Sequence, residues 1–202
     1  GELIECVGDS LVPRGHGGPG DRHPIVDIVD AGPGKLVIAD SSTVFEYRTP
    51  DGAPSPQSRW RTVLRRSEHE IRCVAVEPSG RVWVGTWRGL VRCDERGQRT
   101  FTTRDGLPDD FIRALAVDRE GSLWIGTWVG GLNRLRDGRF LTFTTREGLT
   151  SDNVRSLCEG RDGAVWIATA GGGLNRLKDG KVTAWGPEDG LPSEQVSALL
   201  ED

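Results

Sequence analysis

With 202 residues, 36% hydrophobic side chains and seven tryptophans, the chain is long and apolar enough to bury a core in one or two domains. Its formal charge is −4, and its 26 basic and 30 acidic side chains are interleaved, which argues against a basic nucleic-acid groove, so we expect no nucleic-acid partner. No apolar run approaches the roughly eighteen residues that cross a bilayer, so we expect no membrane segment in this chain. Because the sequence begins at Gly1 and contains no methionine, we interpret it as a piece of a longer product.

A repeat of about 42 residues dominates the sequence. Residues 1–22 stand outside it and are predicted to be a leader, a loop or part of a preceding unit. Within the repeat, Trp83, Trp124 and Trp166 recur at spacings of 41 and 42 residues. The predicted units are a divergent one at 23–69, then 70–110, 111–152 and 153–194, and finally the first strand of a further unit at 195–202.

Each unit has the pattern of four β-strands. In the clearest copy these are "FIRALAVD" (111–118), "LWIGTW" (123–128), "GGLNRLRDG" (130–138) and "RFLTFTT" (139–145), separated by turns. Leu123 and Ile125 alternate with Trp124 and Gly126, so neither face of the second strand is polar. A sheet that buries both faces is stacked between two neighbours, and Gly126 would let one of them approach closely. We therefore predict an all-β fold, a β-propeller of four-stranded antiparallel blades that is a fragment of a larger ring.

Two long stretches resemble a known repeat. They are "DGLPDDFIRALAVDREGSLWIGTWVGGLNRL" (105–135) and "EGLTSDNVRSLCEGRDGAVWIATAGGGLNRL" (147–177), and they are similar to the two-component regulator propeller repeat. Such repeats occur in the sensor regions of bacterial hybrid histidine kinases and related regulators. The resemblance implies a non-catalytic, periplasmic or extracellular sensor that binds a polar ligand, often a sugar. It also implies a ring of about seven blades, so four units would need self-association or further blades to close it.

A ligand site is predicted at one rim of the propeller. Antiparallel strands bring the second-to-third connection of each blade and the connection between blades to the same end. There, aromatic rings near charged side chains suit a small polar ligand or carbohydrate, whose ring stacks while its hydroxyls form hydrogen bonds. The predicted rim residues are Trp87, Trp128, Arg72, Arg113, Arg155, Asp109 and Asp110. In the competing interpretation, the arginines pair with carboxylates between blades and the aspartates are turn residues.

Two other function classes stay open beside the sensor. A protein-interaction scaffold would use the same rim but bind no small molecule. A lyase-like enzyme would need a histidine beside the rim carboxylates, yet His16, His23 and His69 all precede the clear repeats. We therefore predict no enzyme and no cofactor. The four cysteines lack CxxC spacing and the acidic connections have ordinary turn composition, so we also expect no metal site.

Overall fold

The computed structural model describes residues 2–7, 10–16, 24–48, 60–65 and 70–201. Near the amino terminus, β1 (Glu2–Val7) pairs with β2 (Ser10–His16) in a two-stranded antiparallel hairpin. The predicted divergent unit at 23–69 falls partly outside the described residues, as do His23 and His69.

Four antiparallel sheets follow the hairpin, each built from four strands that are consecutive in the chain. The first sheet contains β3 (Ile25–Asp30), β4 (Lys35–Asp40), β5 (Thr43–Arg48) and β6 (Trp60–Arg65). The second contains β7 (Ile71–Val76), β8 (Val82–Thr86), β9 (Gly89–Asp94) and β10 (Gly97–Phe101). The third contains β11 (Ile112–Val117), β12 (Leu123–Thr127), β13 (Leu132–Arg136) and β14 (Arg139–Phe143). The fourth contains β15 (Val154–Glu159), β16 (Val165–Thr169), β17 (Leu174–Lys178) and β18 (Lys181–Trp185).

The sheets are arranged as blades around their first strands. Strands β3, β7, β11 and β15 lie side by side, so the sheets fan outward from them as in a propeller, where first strands line the central axis. In the second, third and fourth blades, the pairing of the first strand with the second strand shifts register by one residue, which forms a β-bulge. The extra residues of these three bulges are Arg72, Arg113 and Arg155. The all-β propeller predicted from the sequence is confirmed.

The repeated tryptophans fill the spaces between blades. Trp83 is 3% exposed and packs in one cluster with Ile112 and Ile125 of the third blade. Trp124 is 5% exposed and packs with Val154 and other residues of the fourth blade. Each indole therefore lies against the blade that follows it in the chain, as predicted from strands with two apolar faces.

Each of these buried indoles donates a hydrogen bond to a carboxylate that directly follows the first strand of its blade. The Nε1–H group of Trp83 donates to Glu77 at 2.7 Å, and that of Trp124 donates to Asp118 at 2.8 Å. The fourth blade has Gly160 at the corresponding position, and Trp166 is only partly buried there. Because an indole N–H left unpaired in a core is costly, the carboxylates belong to the packing of the blades rather than to a ligand site.

Gly126 brings the third and fourth blades together. A β-carbon built at this residue would lie 2.5 Å from Cγ1 of Val154, which stands in the first strand of the fourth blade. Gly85 has the same role one blade earlier, where a β-carbon would lie 2.7 Å from Cγ2 of Ile112. The close approach predicted for Gly126 is present, and a side chain at either glycine would hold two blades apart.

Short 3-10 turns connect the later blades. Thr103–Asp105 follows the second blade, with Thr102 and Asp105 forming a capping box and Gly106 ending the turn at a left-handed φ of 103°. Leu107, which is 3% exposed, then packs into the core between blades. This connection, "RDGLPDD" (104–110), thus leads residues 108–111 to the end of the propeller where Asp110 bonds to Gly89.

The carboxyl-terminal residues pack on the fourth blade without forming a ladder of their own. "QVSALLED" was predicted to be the first strand of a further blade, but the described residues 196–201 contain no strand, and only Gln195 forms a bridge, to Ala170. Leu199 N donates to Ser156 Oγ at 3.1 Å, so the segment lies alongside β15. The first strand of a blade pairs with the second strand of the same blade, and no described residue forms such a second strand for this segment.

Candidate functional site

The rim predicted from strand direction exists. Gly89 N donates to Asp110 O at 2.7 Å, and Gly131 N donates to Asp152 O at 3.0 Å. These bonds join the second-to-third connections of the second and third blades to the connections that lead into the following blades. Residues from both kinds of connection therefore lie at one end of the propeller.

An exposed row of aromatic side chains lies on this rim. Trp87 and Trp128 are each 44% exposed, and Phe111 lies between them. The Phe111 ring centroid is 4.8 Å from that of Trp87 and 4.6 Å from that of Trp128. Trp87 belongs to the second blade and Trp128 to the third, so the row crosses a blade boundary. We call Trp87, Phe111 and Trp128 the aromatic row.

Phe111 was not among the residues predicted from the sequence. It directly follows Asp109 and Asp110 in a connection that strand direction already assigned to the rim. An aromatic side chain at that place was a usable signal, but the other units have Glu70 and Asn153 there, so it did not appear as a repeated feature.

Two of the predicted arginines lie over the tryptophans. Arg72 Cζ is 5.7 Å from the Trp87 ring centroid, and Arg113 Cζ is 5.4 Å from that of Trp128. Both pairs have cation–π geometry, which is worth about 0.5–2 kcal/mol depending on exposure. Arg155 has no such partner, because the fourth blade has Ala170 at the position of the tryptophan.

The three arginines also lie close to one another, and they have few acidic partners. Arg72 pairs with Glu70 at 3.0 Å, while Arg113 Nη1 donates to the amide oxygen of Asn153 at 3.4 Å. Arg155 Nε is buried and forms no hydrogen bond with any described residue. Burial lowers the pKa of Arg113, and the positive charges of Arg155 and Arg72 lower that pKa further.

The two predicted aspartates lie in the same connection, but their carboxylates bind backbone. Asp109 accepts bonds from Phe111 N and Val129 N, both at 3.0 Å. Asp110 accepts from Thr103 N at 2.6 Å, which anchors the 3-10 turn. These bonds position Phe111 and the connection that carries Trp128, so the aspartates shape the rim and present few free oxygens to a ligand.

Other kinds of site have little support in the described part of the chain. No group of three or more His, Cys, Asp or Glu side chains there is placed to hold a metal ion. Cys73 and Cys158 are free thiols, and burial raises the pKa of Cys73. The described residues also include no helix with the length and apolar character of a membrane span.

Residues 106–129 and 148–171 match the family model described as the two component regulator propeller. Two segments of the chain therefore resemble two-component regulator propeller repeats. The resemblance drawn from the sequence is thereby confirmed, and the matched segments contain most of the aromatic row and Arg113. No curated protein sequence matches the chain.

Solved structures with the same fold include both sensor regions and enzymes. The extracellular domain of a one-component system from B. thetaiotaomicron has a TM-score of 0.69 and 16% identity, covering 92% of this chain and 28% of that domain. The extracellular domain of a hybrid two-component system from the same organism has a TM-score of 0.50 and 19% identity, covering 84% and 29%. A catalytically inactive virginiamycin B lyase from Staphylococcus aureus has a TM-score of 0.65 and 15% identity, covering 92% and 58%. The chain thus spans less than a third of the two extracellular domains, and at these identities the likeness is one of fold.

Proposed function

We propose that the chain is a non-catalytic, ligand-sensing propeller portion of a bacterial two-component regulator, located in the periplasm or outside the cell. Its ligand, a polar molecule such as an oligosaccharide, binds at the rim of the second and third blades. The observation that carries this proposal is the exposed aromatic row of Trp87, Phe111 and Trp128 beside the guanidinium groups of Arg72 and Arg113. Sugars stack their apolar faces on such rings and offer hydroxyls to such donors.

The family match and the chemistry of the rim support a sensor over an enzyme. Two segments resemble two-component regulator propeller repeats, and extracellular domains of one- and two-component systems share the fold. A lyase also shares it, but the carboxylates of Asp109 and Asp110 accept backbone bonds, and the chain has no histidine after His69. General acid–base catalysis needs a titratable pair free to meet the substrate, and these carboxylates are a poor match for that role.

The proposal is tested by thermal unfolding of the 202-residue chain against a broad panel of oligosaccharides. A ligand that binds only the folded state raises the melting temperature, and at about 100 times its Kd it adds about 2.7 kcal/mol of stability. We expect at least one glycan to raise the melting temperature of the wild-type chain and to lose this effect in Trp128→Ala. The control is Trp185→Ala, which removes a tryptophan from the outer strand of the fourth blade and leaves the response intact. No response to any glycan would contradict the proposal and favour the scaffold.

We further propose that additional blades or a second copy cover the end faces of the propeller. Ile25 is 41% exposed, whereas Ile71, Ile112 and Val154 at the same position of the later blades are fully buried. Ile28, in the same strand, is 50% exposed. We expect light scattering on the isolated chain at micromolar concentration to give a mass above that of one chain, because exposed apolar faces of this kind drive association. A strictly monomeric, soluble species would count against this prediction.

A further inference from the structure

Three consecutive blades place an arginine at the same structural position, and the function proposed above gives no reason for all three. Arg72, Arg113 and Arg155 are the bulge residues of β7, β11 and β15. These strands lie side by side at the centre of the propeller, so the three guanidinium groups follow one another along its inner wall near the rim. The repeat thus concentrates positive charge in a chain whose formal charge is −4.

Several arginines elsewhere in the described chain pair with carboxylates. These pairs are Arg48–Glu46, Arg81–Glu77, Arg92–Asp94, Arg99–Asp105, Arg119–Glu159, Arg136–Glu120 and Arg176–Asp162. No carboxylate of a described residue pairs with Arg113 or Arg155. Arg113 has only the amide oxygen of Asn153, and Arg155 Nε is buried without a hydrogen-bond partner. A guanidinium group without a carboxylate partner leaves its positive charge uncompensated in the empty protein, and an anion would compensate it.

We propose that the ligand of this rim carries an anionic oxygen group, a carboxylate or a sulfate ester, which is held by Arg113 and Arg155. This inference rests on the proposed function, because it names the chemical class of the ligand that binds there. Guanidinium groups present several N–H donors in a fork that matches carboxylate and sulfate oxygens.

The aromatic row fixes where the rest of that ligand lies. Arg113 lies over the ring of Trp128, and Trp128 contacts Phe111, so an anion on Arg113 sits beside these two rings. The sugar ring of an acidic oligosaccharide would stack on the row while its charged group points inward to Arg155. The lowered pKa of Arg113, caused by burial and then by Arg155 and Arg72, agrees with a repulsion that such an anion relieves.

Isothermal titration of the 202-residue chain with matched pairs of glycans tests the inference. One arm compares tetragalacturonate with its methyl ester, and the other compares cellotetraose sulfate with cellotetraose, so the two arms distinguish a carboxylate from a sulfate. We expect the charged member of at least one pair to bind at least about tenfold more tightly than its neutral partner, as expected for charge-assisted hydrogen bonds, and to weaken with added salt.

Variants connect that preference to the two arginines. Arg113→Gln and Arg155→Gln should each reduce the affinity for the charged glycan by about tenfold or more, while Arg113→Lys should retain part of it because the charge stays and the fork is lost. Arg139→Gln, which removes the same charge from an exposed position on the outer strand β14, should bind as wild type. Arg155→Gln should not melt below the wild type without ligand, because it removes an uncompensated charge that makes no cation–π contact, whereas a purely structural arginine would lower the melting temperature when replaced.

The outcomes separate this inference from the proposed function. Equal binding of charged and neutral partners overturns the anionic ligand and leaves a neutral ligand at the rim. A preference for the charged partner that survives both Gln variants overturns its binding by Arg113 and Arg155. Failure of every glycan, charged or neutral, overturns both proposals.

Discussion

Trp124→Ala is expected to lower the free energy of unfolding by about 3–5 kcal/mol, which is the cost of truncating a large buried aromatic side chain. The Trp124 indole is 5% exposed and lies between the third blade and Val154, Val165 and Ile167 of the fourth. Its removal leaves a cavity at a blade boundary, and it leaves Asp118 without the N–H group that donates to it at 2.8 Å. Urea unfolding followed by circular dichroism, which does not depend on the lost fluorophore, measures the change.

Trp166→Ala is the matched control, because Trp166 occupies the same position in the fourth blade. It is only partly buried, its closest aromatic contact is Trp185 at 5.3 Å, and Gly160 replaces the carboxylate that Asp118 provides one blade earlier. We expect a loss smaller by at least about 1 kcal/mol, because less apolar area leaves solvent there. Equal losses of unfolding free energy at the two positions would contradict the interpretation that Trp124 stabilises the protein by packing one blade against the next.

Gly126→Ala is expected to cost about 1–3 kcal/mol, although it adds a single methyl group to a strand. The new β-carbon would stand 2.5 Å from Val154 Cγ1, so the third and fourth blades must separate or Val154 must move. Alanine is otherwise well tolerated in extended backbone, so nearly all of the loss reflects the contact between blades. Chemical denaturation of the purified variant measures it.

Two further variants make that interpretation testable. Gly186→Ala makes the same change at an extended residue, φ −126°, where no atom lies within 4 Å of the new β-carbon, and it should alter stability by less than about 0.5 kcal/mol. In the double variant Gly126→Ala/Val154→Ala the cost should be less than the sum of the single losses by more than about 0.5 kcal/mol, because the smaller Val154 substitute makes room. Additive losses would show that the strand itself, and not the boundary, resists the substitution.

The blades could be predicted from the sequence because the repeat and the burial pattern agree. Trp83, Trp124 and Trp166 give the period, and apolar residues on both faces of the second strands require neighbours on both sides. The structure confirms the propeller, with Trp83 and Trp124 held between blades as predicted.

The bulges of the first strands were harder to predict. Ile112 and Leu115 both pack toward the second blade, although residues three apart in a regular strand point to opposite faces. The extra residue that reconciles them is Arg113, whose polar side chain looks in the sequence like one more exposed position. The sequence therefore predicted the three arginines at the rim, but their position in the bulges of the first strands became visible only once the register was known.

At the rim, too, the sequence predicted some features, and others were visible only in the structure. Strand direction predicted that Trp87, Trp128 and the connections between blades lie at one end, and they do. Phe111 was missed because it has no aromatic counterpart in the other units. Asp109 bonds to Phe111 N and Val129 N, and such partners depend on turn geometry, which residue type alone leaves open.

The direction in which the buried indoles point gives the stack of blades a polarity. Trp83 packs toward the third blade and Trp124 toward the fourth, so the leading and trailing faces of the protein are different surfaces. A copy that adds through these faces adds head to tail, in a heterologous contact that forms a closed ring when the rotation per copy divides a full turn and a filament when it does not. Substitutions at a blade boundary, such as those at Gly126, change this rotation and therefore act on the size of an assembly as well as on its stability.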